Sequence, residues 1–165
     1  MRADIKVTSI MVTAATLFLA GSGGADSRAC DRDPVRIPVF GSLSAAPADG
    51  DGCQSPIDWC TLGDLRGILW GQYDFTMLTV APAQLPEAPM ISFYTGQVVI
   101  TTRGDKIFGL DAGTIVLSPV GPGPYSSVVT VTGGEGRFAG ASGYILISGT
   151  IDWQTGEAVG RYRGE

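Results

Sequence analysis

Short runs of β-branched and aromatic residues alternate along this chain with clusters of glycine and proline, and beyond residue 26 no stretch holds a helical period. The pattern predicts strands over residues 35–44, 65–80, 91–102, 106–117, 125–132, 144–152 and 157–163. That makes seven strands, or eight if the long run 65–80 bends at Gly67 or Gly71, where a bulge or sharp turn fits best. Arg103 to Lys106 and Trp153 to Gly156 are short connections, so consecutive strands should pair as antiparallel hairpins. Residues 45–60, 81–89 and 119–124 are rich in proline, glycine or both and read as surface loops.

Alternation within the strands says which side chains face inward. In 157–163, Glu157, Val159, Arg161 and Arg163 share the wet side, with Ala158, Gly160 and Tyr162 opposite. In 144–152, Ile145, Ile147 and Ile151 share a face, and in 65–80 Leu69, Tyr73, Phe75 and Met77 oppose Gln72, Asp74 and Thr76. The interior is therefore expected to be apolar with phenols. Small residues such as Gly71, Gly149 and Gly160 beside large ones suit a closing barrel, whose eight strands leave room for side chains or one small ligand. The expected fold is all-β: a single antiparallel eight-stranded (seven to eight) β-barrel.

The first 25 residues read differently. Arg2 and Lys6 precede an apolar run from Val7 to Ala20 and a small-residue stretch to Ala25, the layout of a cleaved secretory signal peptide. The alternative is a retained anchor, for which the run is short. Ser27, Arg28 and Ala29 before Cys30 form no lipobox, so a lipoprotein is not expected. Residues 26–64 then form an N-terminal arm, a first strand and a cysteine-containing loop, and 65–165 the barrel body, with 35–64 part of the same domain.

Charge narrows the partners. The whole chain carries −5, and loss of the leader moves this to about −6, which repels phosphate backbones and anionic lipid surfaces. Nucleic acid is not expected as a partner. Three cysteines in an exported chain suggest a disulfide. Cys53 and Cys60 bracket a proline turn, and closing that loop is worth about 2.5 kcal/mol; pairing of Cys30 with either remains the alternative.

The chain has no histidine, which removes Ser-His-Asp and Cys-His catalysis and leaves too few ligands for a zinc site, so no metal or cofactor is expected. The acid-base candidates left are Asp74 and Asp111, each within a strand, and the phenols Tyr73, Tyr94 and Tyr162. Alternation puts Asp74 on the wet face beside Gln72 and Thr76. Asp111 lies between Gly109 and Gly113, which mark a bulge or open room for a bound molecule. Ligand-lining candidates are Tyr73, Tyr94, Asp111 and Tyr162.

The glycine segment ahead of the 144–152 strand reads TGGEGRFAGASG, with Gly133, Gly134, Gly136, Gly140 and Gly143 around Phe138. A dinucleotide fingerprint needs a full helix after the glycines, and β-branched residues resume here instead. The structural reading is that the glycines allow positive φ and close packing while Phe138 plugs one barrel end. The segment resembles the GGTGxFxxAxG loop of the dirigent and allene oxide cyclase barrel superfamily, with Glu135 where that loop often has threonine. The resemblance covers roughly residues 91–165; with the leader, and with arginine far outnumbering lysine among abundant alanine, glycine and valine, the expectation is a bacterial secreted member. The resemblance implies a barrel that receives apolar molecules and assembles as a homo-oligomer, often a trimer. The catalytic acids of those families are carried onto no residue here. Three functions are thus expected to compete: a secreted barrel binding or shielding a small apolar molecule in its lumen, a cyclase, isomerase or dirigent-like protein steering a flexible or radical substrate, and a structural or interaction protein with a packed lumen.

Overall fold

A computed structural model describes residues 35–48, 52–88 and 90–165. The expected leader, residues 1–25, and Cys30 lie outside the described residues. Eight strands follow one another: β1 (Val39–Pro47), β2 (Cys60–Gly67), β3 (Gly71–Pro82), β4 (Ile91–Thr102), β5 (Asp105–Val116), β6 (Gly123–Glu135), β7 (Gly143–Ile151) and β8 (Ala158–Gly164). Each pairs antiparallel with the next, and β8 returns to pair with β1, closing the barrel. A 3₁₀ turn, Gly136–Phe138, is the sole helical element among the described residues. A closed meander leaves no sheet edge to be protected.

Three boundaries differ from expectation, each for a local reason. The run 65–80 is two strands, broken at residues 68–70: Gly67 adopts φ 118°, and the Leu69 N–H donates to the Tyr162 hydroxyl at 2.9 Å. Its first three residues belong to β2, whose start at Cys60 was hidden because Gly63 and Asp64 weaken the β signal. β1 runs three residues into the expected surface loop, to Pro47, and begins at Val39 rather than Val35. Pro47 is tolerated because β8 pairs only as far as Ala45, so the missing N–H costs no ladder bond on that side. β6 extends through Gly133 and Gly134 to Glu135, so the glycine loop is shorter than its sequence suggests.

The alternation holds. Tyr73, Phe75, Met77, Tyr94, Ile145, Ile147, Ile151, Ala158 and Tyr162 are all buried, while Val159, Arg161 and Arg163 are exposed. Glycines make space for the inward rings. A Cβ on Gly113 would stand 2.8 Å from the Tyr94 ring, its direct cross-strand partner, and one on Gly160 would stand 2.6 Å from the Tyr125 hydroxyl.

The meander gives the barrel two unlike ends. At one, the turn end, the connections are tight: residues 68–70, the pair Arg103 (φ 53°) and Gly104 (φ 89°), and the glycine segment. There Arg137 bonds Asp105 at 3.1 Å and the Thr102 carbonyl at 3.3 Å, with its guanidinium 4.9 Å from the Phe138 ring centre. Phe138 is half-buried against the core edge. At the other, the loop end, lie the connections between β1 and β2, β3 and β4, β5 and β6, and β7 and β8, the first two of them the longest in the barrel. The Cys53–Cys60 disulfide, with Cα atoms 5.6 Å apart, ties down the first of these loops.

Candidate lumen site

Register places the site. Asp111 on β5 lies between Gly96 of β4 and Val129 of β6, and the next inward residues toward the loop end are Tyr94 and Ser127, on either side of Gly113. One row further, Tyr125 faces inward from β6. With Tyr73 of β3 these groups line one cavity of about 50 Å³, whose other walls are apolar or aromatic, Phe75, Met77, Ile115 and Trp59 among them, apart from Thr61. The cavity sits in the half of the lumen nearer the loop end. Trp59 packs against Trp153 with ring centres 4.9 Å apart and planes tilted by 51°, and the Trp153 indole N–H donates to the Val116 carbonyl at 3.3 Å, so two indoles sit where the lumen meets the loops.

Its electrostatics are unusual for so small a space. Asp111 is 3% exposed, and burial pushes its carboxyl up to about 6. Ser127, the Ala112 amide and Tyr94 offset part of that rise. Burial and then the Asp111 charge raise Tyr94 and Tyr125, the latter to about 12. Tyr73 is raised well above the usual phenol range by burial first and Asp111 second. The phenols therefore stay protonated at any working pH, whereas Asp111 is mostly ionised at pH 7 and mostly neutral at pH 5. Asp111 Oδ1, the Tyr125 hydroxyl and Ser127 Oγ make no hydrogen bond of good geometry within the protein, although the Ser127 and Tyr94 hydroxyls lie close enough to the carboxyl to ease its charge. Unpaired buried polar atoms are few in native proteins, and three in one cavity is a concentration that burial alone does not explain.

Of the residues singled out from sequence, Tyr73, Tyr94 and Asp111 meet in this cavity. Tyr162 does not: it is buried toward the turn end, where its hydroxyl accepts the Leu69 N–H and lies against Gly41. Asp74 stands on the outer wall, cross-strand from Leu62 and Val99, separated from Asp111 by the thickness of the sheet. The two carboxylates thus form no acid-base pair. Tyr125, Ser127 and Trp59 were missed. The first two carry a signal, since they alternate with buried Val129 in one strand; Trp59 carries none beyond its place next to Cys60.

Among the described residues, no group of three His, Cys, Asp or Glu side chains comes together as a metal site. No lysine or arginine lines the cavity. The site is a single ionisable carboxyl with hydroxyl neighbours inside aromatic walls, suited to holding a polar end of a molecule or moving one proton. The fold and site define a closed eight-stranded antiparallel barrel whose mainly apolar lumen holds one cavity carrying a carboxyl and hydroxyls. Comparison with protein-family models, with curated proteins and with solved structures finds no match for the chain.

Proposed function

We propose that this protein is an exported ligand-binding barrel, which receives a small, largely apolar molecule in its lumen and holds that molecule's polar end at Asp111, Tyr125 and Ser127. The three unpaired oxygens carry this reading. A barrel selected only for packing gains nothing from gathering three such oxygens in one cavity, and each costs about 1–3 kcal/mol unless a water or a ligand pairs with it. The leader, together with the Cys53–Cys60 disulfide, supports export to an oxidising compartment. The glycine-segment resemblance to dirigent and allene oxide cyclase barrels supports a lumen ligand and a homo-oligomeric, trimeric assembly.

The cavity limits what fits. Its 50 Å³ is well below the roughly 300–1,000 Å³ of drug-sized pockets. The ligand is therefore very small, or only its end is seated while the indoles at the loop end move aside. A second reading, a cyclase or isomerase, draws on Asp111 alone: a carboxyl titrating near 6 is poised for proton transfer at neutral pH.

Native mass spectrometry of the protein recovered from its own host tests the first reading, with expected retention of a small molecule released on unfolding. Trp59 lines the cavity, so small apolar probes are expected to alter tryptophan fluorescence saturably. A protein that is always recovered empty and gives no saturable response to any probe is a packed structural barrel instead. Proton exchange or rearrangement of a captured ligand, lost in Asp111→Asn, would favour the second reading.

A further inference from the structure

The polar end of the ligand has a chemical identity written into the site. At neutral pH the cavity holds a mostly ionised carboxylate with no lysine or arginine beside it. A buried charge without a counter-charge is costly, and the missing partner is a cation. The unpaired atoms are Asp111 Oδ1, Tyr125 Oη and Ser127 Oγ, and all three are oxygens able to accept a hydrogen bond. A primary ammonium carries three N–H donors and no acceptor. Aromatic walls suit such a cation: Phe75 and Tyr94 meet edge to face at 5.9 Å, Tyr73 stacks beside Phe75 at 6.5 Å, and ring faces attract positive charge.

The approach has the same sign. The loop end carries Asp58, Glu87, Asp152 and Glu157, whereas Arg66, Arg103, Lys106, Arg137 and Arg163 gather toward the turn end. Among the described residues no lysine or arginine lies in the loop-end connections, so a cation nearing the two indoles meets a negative field. A metal ion is less well served, because hard cations need about six oxygen ligands and the walls here are mostly carbon.

We propose that the lumen site binds an organic ammonium group, with Asp111 as its counter-ion, Tyr125 and Ser127 as further acceptors, and the aromatic walls around its carbon. This rests on the lumen-binding reading above and specifies the ligand class. A cavity of about 150 Å³ holds benzene, so 50 Å³ seats about two heavy atoms, the size of methylammonium or the end of a longer primary amine.

The test is titration of the full-length protein with methylammonium chloride, read from the Asp111, Ala112 and Ser127 amide resonances. Sodium chloride and potassium chloride at equal ionic strength, and methanol as the neutral counterpart, are run beside it. Two heavy atoms at the best efficiency seen for tiny ligands give a dissociation constant on the order of 10 mM. Saturation is expected at pH 7.5, with affinity falling at least tenfold in Asp111→Asn and at pH 4.5, and by a few-fold in Ser127→Ala. The titratable groups facing Asp111 are Tyr73, Tyr94 and Tyr125, all protonated across that range, so the pH effect reports the carboxyl. Methanol or potassium binding as tightly as methylammonium, or equal affinity in Asp111→Asn, overturns the ammonium assignment and leaves a lumen site of other chemistry. No saturable response to methylammonium, methanol or small apolar probes overturns the lumen reading together with it.

Discussion

The two halves of the lumen are built from the same strands and differ in what those strands point inward. Toward the turn end the inward side chains include Leu65, Val98, Ile100 and Ile145, all at most 3% exposed and filling the space. Toward the loop end the same alternation delivers Tyr94, Asp111, Tyr125 and Ser127 around a residual cavity. One half spends its inward positions on dispersion and apolar burial, and the other gives up some of that stability to keep a carboxyl out of water. Stability and binding are thereby separated along the barrel axis.

Mutation should expose that division most sharply in the packed half. Ile100→Ala is expected to cost about 4 kcal/mol in urea unfolding, because its neighbours cannot collapse into the hole. Ile115→Ala, beside the existing cavity, should cost closer to 2 kcal/mol; equal losses at the two sites would erase the distinction.

The carboxyl should show the opposite sign. Folding raises the Asp111 pKa from 3.8 to about 6, so the native state holds that proton more tightly. Its contribution is fully favourable below pH 4 and is lost as pH rises through 6. Asp111→Asn is accordingly expected to be more stable than the parent by up to about 3 kcal/mol at pH 7.5, with the gap closing by pH 4. Urea midpoints at both pH values check it, and a variant less stable at pH 7.5 would mean that the carboxylate is well solvated.

Opening the disulfide comes next. Reduction, or Cys53→Ser with Cys60→Ser, should cost about 2.5 kcal/mol and shift tryptophan emission to the red, since Trp59 is in the loop that the bond closes. Loss of stability without a spectral change would show that the strap does not position the indole. The smallest effect is at the turn end. Arg137→Ala removes the Asp105 ion pair and the Thr102 bonds, all partly exposed, for about 1 kcal/mol, and it should leave any ligand affinity unaltered.

Much of the fold was legible in the residues. β4 follows its predicted bounds because a run rich in β-branched and aromatic residues, free of proline, is closed off by the Arg103–Gly104 turn. The boundary at 68–70 was blurred because Leu65 and Leu69 continue one apolar pattern across a hairpin, and period-2 alternation is blind to a reversal that returns to the same phase. Of the site, Asp111, Tyr73 and Tyr94 were identifiable as inward candidates. Tyr162 was grouped with them wrongly, since facing inward says nothing about depth along the barrel.

Local chemistry alone therefore determined the β class, the inward and outward faces, the short disulfide loop as the favoured pairing and the absence of histidine chemistry, since each follows from residue type and spacing within a few positions. Closure of β8 on β1, and the register that sets Asp111 between Gly96 and Val129 in one cavity with Tyr125 and Ser127, were decided only in three dimensions. Depth and neighbourhood in a barrel depend on how far each strand slides along its partner, and that offset is summed over the whole circuit rather than carried by any single segment.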